Sequence, residues 1–163
     1  MQSIHFTEQE SVKIDKALEI FFKRSSTKDS TTKGLITFDI ISILGFVVDY
    51  GYFVDCSFGS GNMANETYIL FIRKDMPQIT AKNGVYCRVC FERKTNKIKV
   101  NINTSYKDAY TFNAQSKINE YITKTTKQGT FDYLNCNINE IIKKLENDLS
   151  WFLAIPLCEL ESK

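Results

Sequence analysis

The chain has 163 residues, of which 43% are hydrophobic and 13% aromatic, and its formal net charge is +2. A chain of this length fits one domain, or one domain with a short appendage, and buries about two-thirds of its unfolded surface, so no metal or disulfide is needed to hold the fold together. The hydrophobic and aromatic shares are those of an ordinary globular core and exclude a disordered chain. Five cysteines, the lack of an N-terminal signal pattern and the lack of an apolar run of ~18 residues predict a cytoplasmic protein with reduced thiols and no membrane span.

The N-terminal residues predict a helix. Thr7 and Glu10 form the Thr-x-x-Glu pattern of a capping box, in which each side chain satisfies a free amide of the first turn. Helical spacing then places five apolar residues on one face: Ile14, Ala17, Leu18, Phe21 and Phe22. Polar residues 25–34 predict a loop that ends this helix, and the apolar segment 38–45 is compatible with either a helical turn or a strand.

From residue 50 onward, the pattern of β-branched and aromatic residues is typical of strands. Four strands are predicted, over residues 53–58, 67–73, 84–91 and 97–103. The short polar link at 93–96 indicates that the last two strands form an antiparallel hairpin. Alternation in the fourth strand predicts an apolar face (Ile98, Val100, Ile102) and a wet, basic face (Lys97, Lys99, Asn101, Asn103).

Two helices are predicted after the strands. The first covers residues 113–124, with Ile118, Tyr121 and Ile122 inward, and a loop at 125–137 follows it. The last helix ends before Pro156 and has an apolar stripe of six residues: Ile138, Ile141, Ile142, Leu145, Leu149 and Phe152. We therefore predict an α+β fold in a single domain over residues 1–163, with a mostly antiparallel central sheet of about four to five strands flanked by N-terminal and C-terminal helices.

Positive charge is concentrated in the middle of the chain. Between Lys82 and Lys127, ten Lys or Arg residues face only three acidic residues, whereas the last 25 residues carry more acidic than basic side chains. A basic segment of this kind suits a surface that follows DNA phosphates, and it is also compatible with an ordinary solvated surface.

Two motifs suggest chemistry that their context does not support. Cys87 and Cys90 form a Cys-x-x-Cys pair inside a predicted strand, so the two thiols point to opposite faces. The only histidine, His5, is far away in sequence, so no zinc or redox site is predicted and both thiols are interpreted as structural. The Gly59–Asn62 loop lacks the Gly-Lys-Ser/Thr of a P-loop, so no nucleotide cofactor is predicted either.

Asp75, Glu92 and Lys94 resemble the Asp…Glu-x-Lys core of Mg²⁺-dependent nucleases. The proline that usually precedes the aspartate is absent, and a solvated turn is the favoured interpretation of this triplet. A nuclease therefore remains an alternative function, and no catalytic residue is assigned in the favoured one.

Three motifs follow one another in the middle of the chain. Ser57-Phe-Gly-Ser-Gly-Asn62 precedes a strand that begins Thr67-Tyr-Ile-Leu-Phe, and Asn83-Gly-Val-Tyr86 opens the next strand. Together they resemble the Ser-Phe-Gly-x-Gly-Asn, Pro-Trp-ϕ-Ala-Phe and Gly-ϕ-Tyr-Pro-Val motifs (ϕ apolar) of the N-terminal specificity domain of McrB-type modification-dependent restriction systems. Residues 99–104 and 145–151 are similar to later parts of that family, so the likeness spans about residues 50–155.

The resemblance implies a DNA-recognition domain and not an enzyme. Such domains bind double-stranded DNA that carries a modified cytosine, typically 5-methylcytosine, and rotate that base into a pocket. In this prokaryotic family, a GTPase motor follows in the same natural chain and a separate nuclease subunit cleaves the DNA. A protein-interaction module is the remaining alternative function.

The resemblance also assigns roles to individual residues. The base pocket comprises Tyr86, Tyr68, Cys90 and Asn62, and the flipping loop comprises Gly59, Ser60, Gly61 and Met63. Ser60 is too small to fill the gap that the flipped base leaves, so Met63 is the candidate replacement. Tyr68 stands at a tryptophan position and Cys90 at that of a larger apolar residue, which changes the size of the pocket. The residues expected to contact the DNA backbone are Lys82, Asn83, Arg88, Lys97 and Lys99.

Overall fold

The computed structural model describes residues 3–27, 33–59, 63–76, 84–105 and 113–160. Within these ranges, five strands form one antiparallel sheet in the order β1-β2-β3-β4-β5, and helices lie before β1, between β4 and β5, and after β5. The predicted α+β fold with flanking helices is confirmed. Over the same ranges, no helix is both long enough and apolar enough to cross a membrane.

The N-terminal helix, α1, covers Glu8–Ser25 and begins at the predicted capping box. The Glu10 amide donates to Thr7 Oγ1 at 3.1 Å, and the Thr7 amide donates to Glu10 Oε1 at 2.9 Å. The five apolar residues expected on its inner face are all buried. The sequence pattern was therefore sufficient to orient this helix.

The ambiguous apolar segment is helical. Helix α2 covers Lys33–Leu44 and continues into a 3-10 helix, Gly45–Tyr50. Ile40, Leu44 and Val47 are buried at intervals of three and four residues, which is helical spacing. Gly51 then adopts a φ of +98°, and this left-handed conformation turns the chain into the first strand.

Four strands lie within two residues of their predicted bounds: β1 at Tyr52–Ser57, β2 at Glu66–Arg73, β3 at Gly84–Glu92 and β4 at Lys97–Ser105. The predicted hairpin between β3 and β4 is confirmed, with Phe91 opposite Ile98. A fifth strand, β5 at Thr130–Asp132, lies where we expected only a loop, and it extends the sheet beyond β4.

The sheet has two faces with different surroundings. Its inner face packs on the helices and contributes Phe71, Val89, Phe91, Ile98 and Val100 to the main hydrophobic core. The outer face is the opposite side of the sheet, and it carries the alternate residues of each strand. Lys97, Lys99, Asn101 and Asn103 lie on the outer face, as predicted, because the residues between them are buried.

Three C-terminal helices complete the fold: α3 at Gln115–Thr125, α4 at Ile138–Leu153 and α5 at Leu157–Leu160. A 3-10 turn, Tyr133–Asn135, separates β5 from α4. Five of the six residues in the predicted stripe of α4 are buried, and Ile138 is partly buried. The Tyr52 hydroxyl donates to the Leu149 carbonyl at 2.6 Å, which ties β1 to α4. The helices therefore cover the inner face.

Candidate nucleic-acid interface

Strand register brings several of the predicted site residues together on the outer face. Tyr86, Arg88 and Cys90 alternate along β3 and therefore share this face. Tyr86 lies opposite Asn103, and Arg88 lies opposite Asn101. Cys90 lies between Tyr68 on β2 and Lys99 on β4. Strand β3 thus carries an aromatic ring and a cation two residues apart on the same face.

The aromatic part of this face forms a small apolar cluster. Leu70, Ile72 and Tyr86 are buried next to one another, with a partly exposed Tyr68 packed against them. This cluster is separate from the main core. The Asn103 amide donates to the Tyr86 hydroxyl at 3.1 Å and so orients the ring. Tyr86 is only 8% exposed, so a ligand reaches it only if the groups that cover it move.

Cys90 contributes an apolar wall and not a reactive group. It is 1% exposed and lies opposite Tyr68. Burial raises the pKa of its thiol, which keeps the sulfur protonated at neutral pH. Cys87, three residues away, points to the inner face and is fully buried. The predicted opposite orientation of this Cys-x-x-Cys pair is confirmed.

The polar part of the outer face lies on β3 and β4. Arg88 Nε donates to Asn101 Oδ1 at 3.0 Å, so its guanidinium is anchored on the sheet. Lys97 is exposed, and Lys99 Nζ lies 3.9 Å from Glu92 Oε2. Two more acidic residues lie beside these lysines, because Glu66 is opposite Glu92 and Asp132 is opposite Lys97. The outer face is therefore most basic around Arg88 and the neighbouring asparagines.

The predicted flipping loop lies only partly within the described residues. Gly59 is exposed and has a φ of +98°, a conformation that favours glycine. Met63 is 7% exposed and belongs to the main core, so this conformation does not present it as a wedge, contrary to our expectation. Five further predicted site residues lie outside the described ranges: Ser60, Gly61, Asn62, Lys82 and Asn83.

The nuclease triplet is not assembled. Asp75 follows the end of β2, whereas Glu92 lies opposite Glu66 at the beginning of that strand. The seven residue-to-residue steps from Glu66 to Arg73 correspond to roughly 24 Å of strand. Within the described residues, no group of three or more His, Cys, Asp or Glu side chains could hold a metal ion.

Asp75 instead has a structural partner. Arg73 donates from Nε to Asp75 Oδ1 at 3.0 Å and from a terminal nitrogen to Oδ2 at 2.7 Å. This bidentate contact lowers the pKa of the Asp75 carboxyl. The other terminal nitrogen of Arg73 donates to the carbonyls of Phe152 and Ile155, at 3.0 and 2.6 Å. Arg73 thereby joins β2 to the end of α4.

Sequence reasoning also missed a buried charged pair on α4. Lys144 and Asp148 lie one turn apart and are 6% and 0% exposed. Their positions fall within the buried face of α4, because Ile141 precedes Lys144 by three residues and Phe152 follows Asp148 by four. That spacing was the signal from which the buried pair could have been predicted.

Comparison with known proteins adds no assignment: neither a scan against models of protein families nor a search of curated proteins found a match to this chain.

Proposed function

We propose that this chain is a DNA-recognition module that binds double-stranded DNA containing a modified base, with a modified cytosine such as 5-methylcytosine as the favoured ligand. One observation carries the proposal. The outer face combines an aromatic pair, an anchored arginine and two asparagines within neighbouring strand positions. Aromatic rings and cations on one sheet face are the groups that stack on bases and hold phosphates.

Phosphate binding is the role proposed for the cations. Arg88, Lys97 and Lys99 project from two adjacent strands of the outer face. Each phosphate that they neutralise releases counterions, which gives affinity that falls with added salt and depends little on sequence. The bond from Arg88 to Asn101 fixes the direction of the guanidinium before DNA arrives.

Base recognition is the role proposed for the aromatic cluster. A base extruded from the duplex would stack against Tyr68 and Tyr86 and contact the apolar wall at Cys90. Extrusion costs roughly a few kcal/mol of unstacking, which these contacts and the phosphate contacts offset. Because Tyr86 is nearly buried, the base would also displace the groups that cover it.

The proposed module does not break a bond itself. In the system that the McrB resemblance suggests, GTP hydrolysis belongs to a motor domain in the same natural chain and cleavage belongs to a separate nuclease subunit. The cytoplasm of a prokaryote is the corresponding location. The separation of Asp75 from Glu92 supports recognition over cleavage by this domain.

The proposal is tested with one duplex prepared in five forms, with cytosine, 5-methylcytosine, 5-hydroxymethylcytosine, N4-methylcytosine or N6-methyladenine at a single position. Gel shifts at low salt should show preference for one modified form. Tyr68→Ala should reduce that preference to near unity while affinity for the unmodified duplex is retained. Tyr133→Phe is the matched control, because Tyr133 packs against Phe22 and Phe91 on the inner side. Equal affinity for all five duplexes would contradict the proposal.

A protein-interaction module is the second candidate, and exposed apolar residues favour it. Leu35 and Phe38 on α2 are each 69% exposed and lie one turn apart. Apolar side chains in such positions are more typical of a binding surface than of a solvated helix. Absence of binding to every duplex at low salt, together with a stable complex lost in Leu35→Ser/Phe38→Ser, would favour this candidate.

A further inference from the structure

A cleft between α3 and α4 lies in the helical layer, on the other side of the sheet from the outer face. It is open to solvent, has a volume of about 180 Å³ and is lined by Lys117, Glu120, Tyr121, Lys124 and Trp151. Four of these residues belong to α3, at intervals of three, one and three, so they occupy one face of that helix. Trp151, from α4, completes the lining.

The aromatic wall of the cleft is a pair of stacked rings. The rings of Tyr121 and Trp151 are stacked with their centroids 3.8 Å apart and their planes 7° from parallel. Both rings are partly exposed, so the wall is accessible to solvent. Each ring covers one face of the other and Lys144 lies over the Tyr121 ring, so the surface left for a planar ligand is the exposed part of Trp151.

The wall is held in place from inside the protein. The Tyr121 hydroxyl donates to Asp148 Oδ1 at 2.7 Å, and the same carboxylate accepts two bonds from Lys144. Lys144 Nζ also lies 6.0 Å from the centre of the Tyr121 ring. Because Asp148 is fully buried, Tyr121 has a fixed anchor, and the ring is ordered before any ligand binds.

Charge around the wall is arranged in a definite pattern. Lys117 and Lys124 are exposed and lie two turns apart, or roughly 10 Å along the helix. Glu120 lies between them. An anionic group is therefore favoured towards either lysine and disfavoured in the centre, where Glu120 instead accepts a bond from an amino group.

We propose that this cleft binds a nucleoside phosphate whose base carries an amino group. The base packs against the exposed part of Trp151, its amino group donates to Glu120, and the phosphate contacts Lys117 or Lys124. The volume of the cleft accommodates one small planar group and leaves the rest of the ligand at the open side. A free nucleotide and the end of a single strand share this chemistry. The inference does not rest on the proposed function of the outer face.

Trp151 is the only tryptophan of the chain, so its fluorescence reports directly on the cleft. The probes are CMP, UMP, cytidine, inorganic phosphate and a single-stranded tetramer of deoxycytidine, with correction for nucleotide absorption. We expect saturable quenching by CMP and several-fold weaker binding of UMP, which lacks the amino group, and of cytidine or phosphate alone. Tighter binding of the tetramer than of CMP would identify a nucleic-acid strand as the source, and the reverse would identify a free nucleotide.

Lys117→Gln/Lys124→Gln should weaken binding roughly tenfold or more, as expected for the loss of charge-assisted contacts. Lys16→Gln/Lys23→Gln is the matched control, because it removes two exposed charges from α1 and should leave the affinity unchanged. The proposal is overturned if neither CMP nor the tetramer quenches Trp151 saturably, or if both double variants bind as tightly as the parent. Variants of Tyr68 should leave this signal unchanged, which separates the cleft from the outer face.

Discussion

Lys144 and Asp148 form a buried ion pair one helical turn apart on α4. Lys144 Nζ donates to both carboxylate oxygens of Asp148, at 2.7 and 2.6 Å, and to the Val100 carbonyl of β4 at 3.1 Å. Asp148 also accepts from Tyr121 of α3. Burial raises the pKa of Asp148, and Lys144 and Tyr121 counteract part of that rise. Two helices and a strand are thus joined at one charged pair.

Lys144→Met should destabilise the protein strongly. It leaves the fully buried Asp148 carboxylate without its cation, and removing one partner of a buried pair typically costs about 3–5 kcal/mol. The free energy of unfolding in urea is the measurement. Lys143→Met, at the exposed neighbouring position, is the control and should change that energy by less than about 0.5 kcal/mol. Equal effects of the two substitutions would show that the buried pair adds no more to the free energy of unfolding than an exposed lysine does.

Helices and strands that have one apolar and one polar side could be oriented from the sequence, and elements without two distinct sides could not. Helix α1 and strand β4 have two such sides, so periodicity oriented both. In helix α2, Phe38 is exposed although it is as apolar as the buried Ile40, so the sequence does not show which side is inward. Helix and strand were therefore equally plausible for this segment. Strand β5 has only three residues, with a single apolar side chain, Phe131, so it has no alternation to detect.

The candidate site could be predicted only where it depends on periodicity within a single strand. Alternation placed Tyr86 and Arg88 on one face, because that requires only the period of a strand. The position of Tyr68 opposite Cys90 depends on the register between two strands, which periodicity within one strand does not determine. Met63 was misassigned because a loop sequence does not reveal which of its apolar side chains returns to the core.

Arg73→Met should destabilise the contact between β2 and the C-terminal end of α4. The guanidinium is nearly buried and donates to two carbonyls there, which would lose their partner. The expected loss is about 2–4 kcal/mol, since unpaired buried acceptors and lost charge-assisted bonds both contribute. Lys74→Met provides the comparison, because Lys74 is the exposed next residue. Hydrogen exchange should localise the change to the last turn of α4, and protection there equal to that of the parent would contradict the assignment.

Asp75 should contribute stability that depends on pH. Its pKa is lowered from the ordinary value of 3.8 by its contact with Arg73, so the folded state binds the proton less tightly than the unfolded state. The contribution is therefore complete above 3.8 and is lost as the pH falls through the lower folded value. Asp75→Asn should differ from the parent by a constant amount at neutral pH and converge with it in acid. Because the Asp75 side chain is 45% exposed, the difference at neutral pH should not exceed about 1 kcal/mol. The measurement is the free energy of unfolding at several pH values. A difference between Asp75→Asn and the parent that grows as the pH falls would contradict this assignment.

Gly129→Ala should be destabilising for a steric reason. An added Cβ would lie 2.2 Å from the Val100 carbonyl oxygen and 3.1 Å from Lys144 Cε. The backbone cannot yield easily here, because the Gly129 carbonyl also accepts from the Val100 amide at 2.7 Å. We expect a loss of about 1–3 kcal/mol in thermal or urea unfolding. Gly34→Ala, which meets no atom within 4 Å on α2, should be neutral or stabilising by up to about 1 kcal/mol. A larger loss of stability in Gly34→Ala than in Gly129→Ala would contradict the close packing of Gly129 against β4.

Lys97→Gln/Lys99→Gln should weaken DNA binding without changing base preference. If each lysine neutralises one phosphate, the slope of log affinity against log salt should become shallower by about 1.8. The effect should be the same for modified and unmodified duplexes, because phosphate contacts do not report the base. Lys16→Gln/Lys23→Gln removes the same charge from exposed positions on α1 and should leave the slope unchanged. Equal changes of slope in the two double variants would indicate a response to net charge alone, and DNA would then not bind specifically at the outer face.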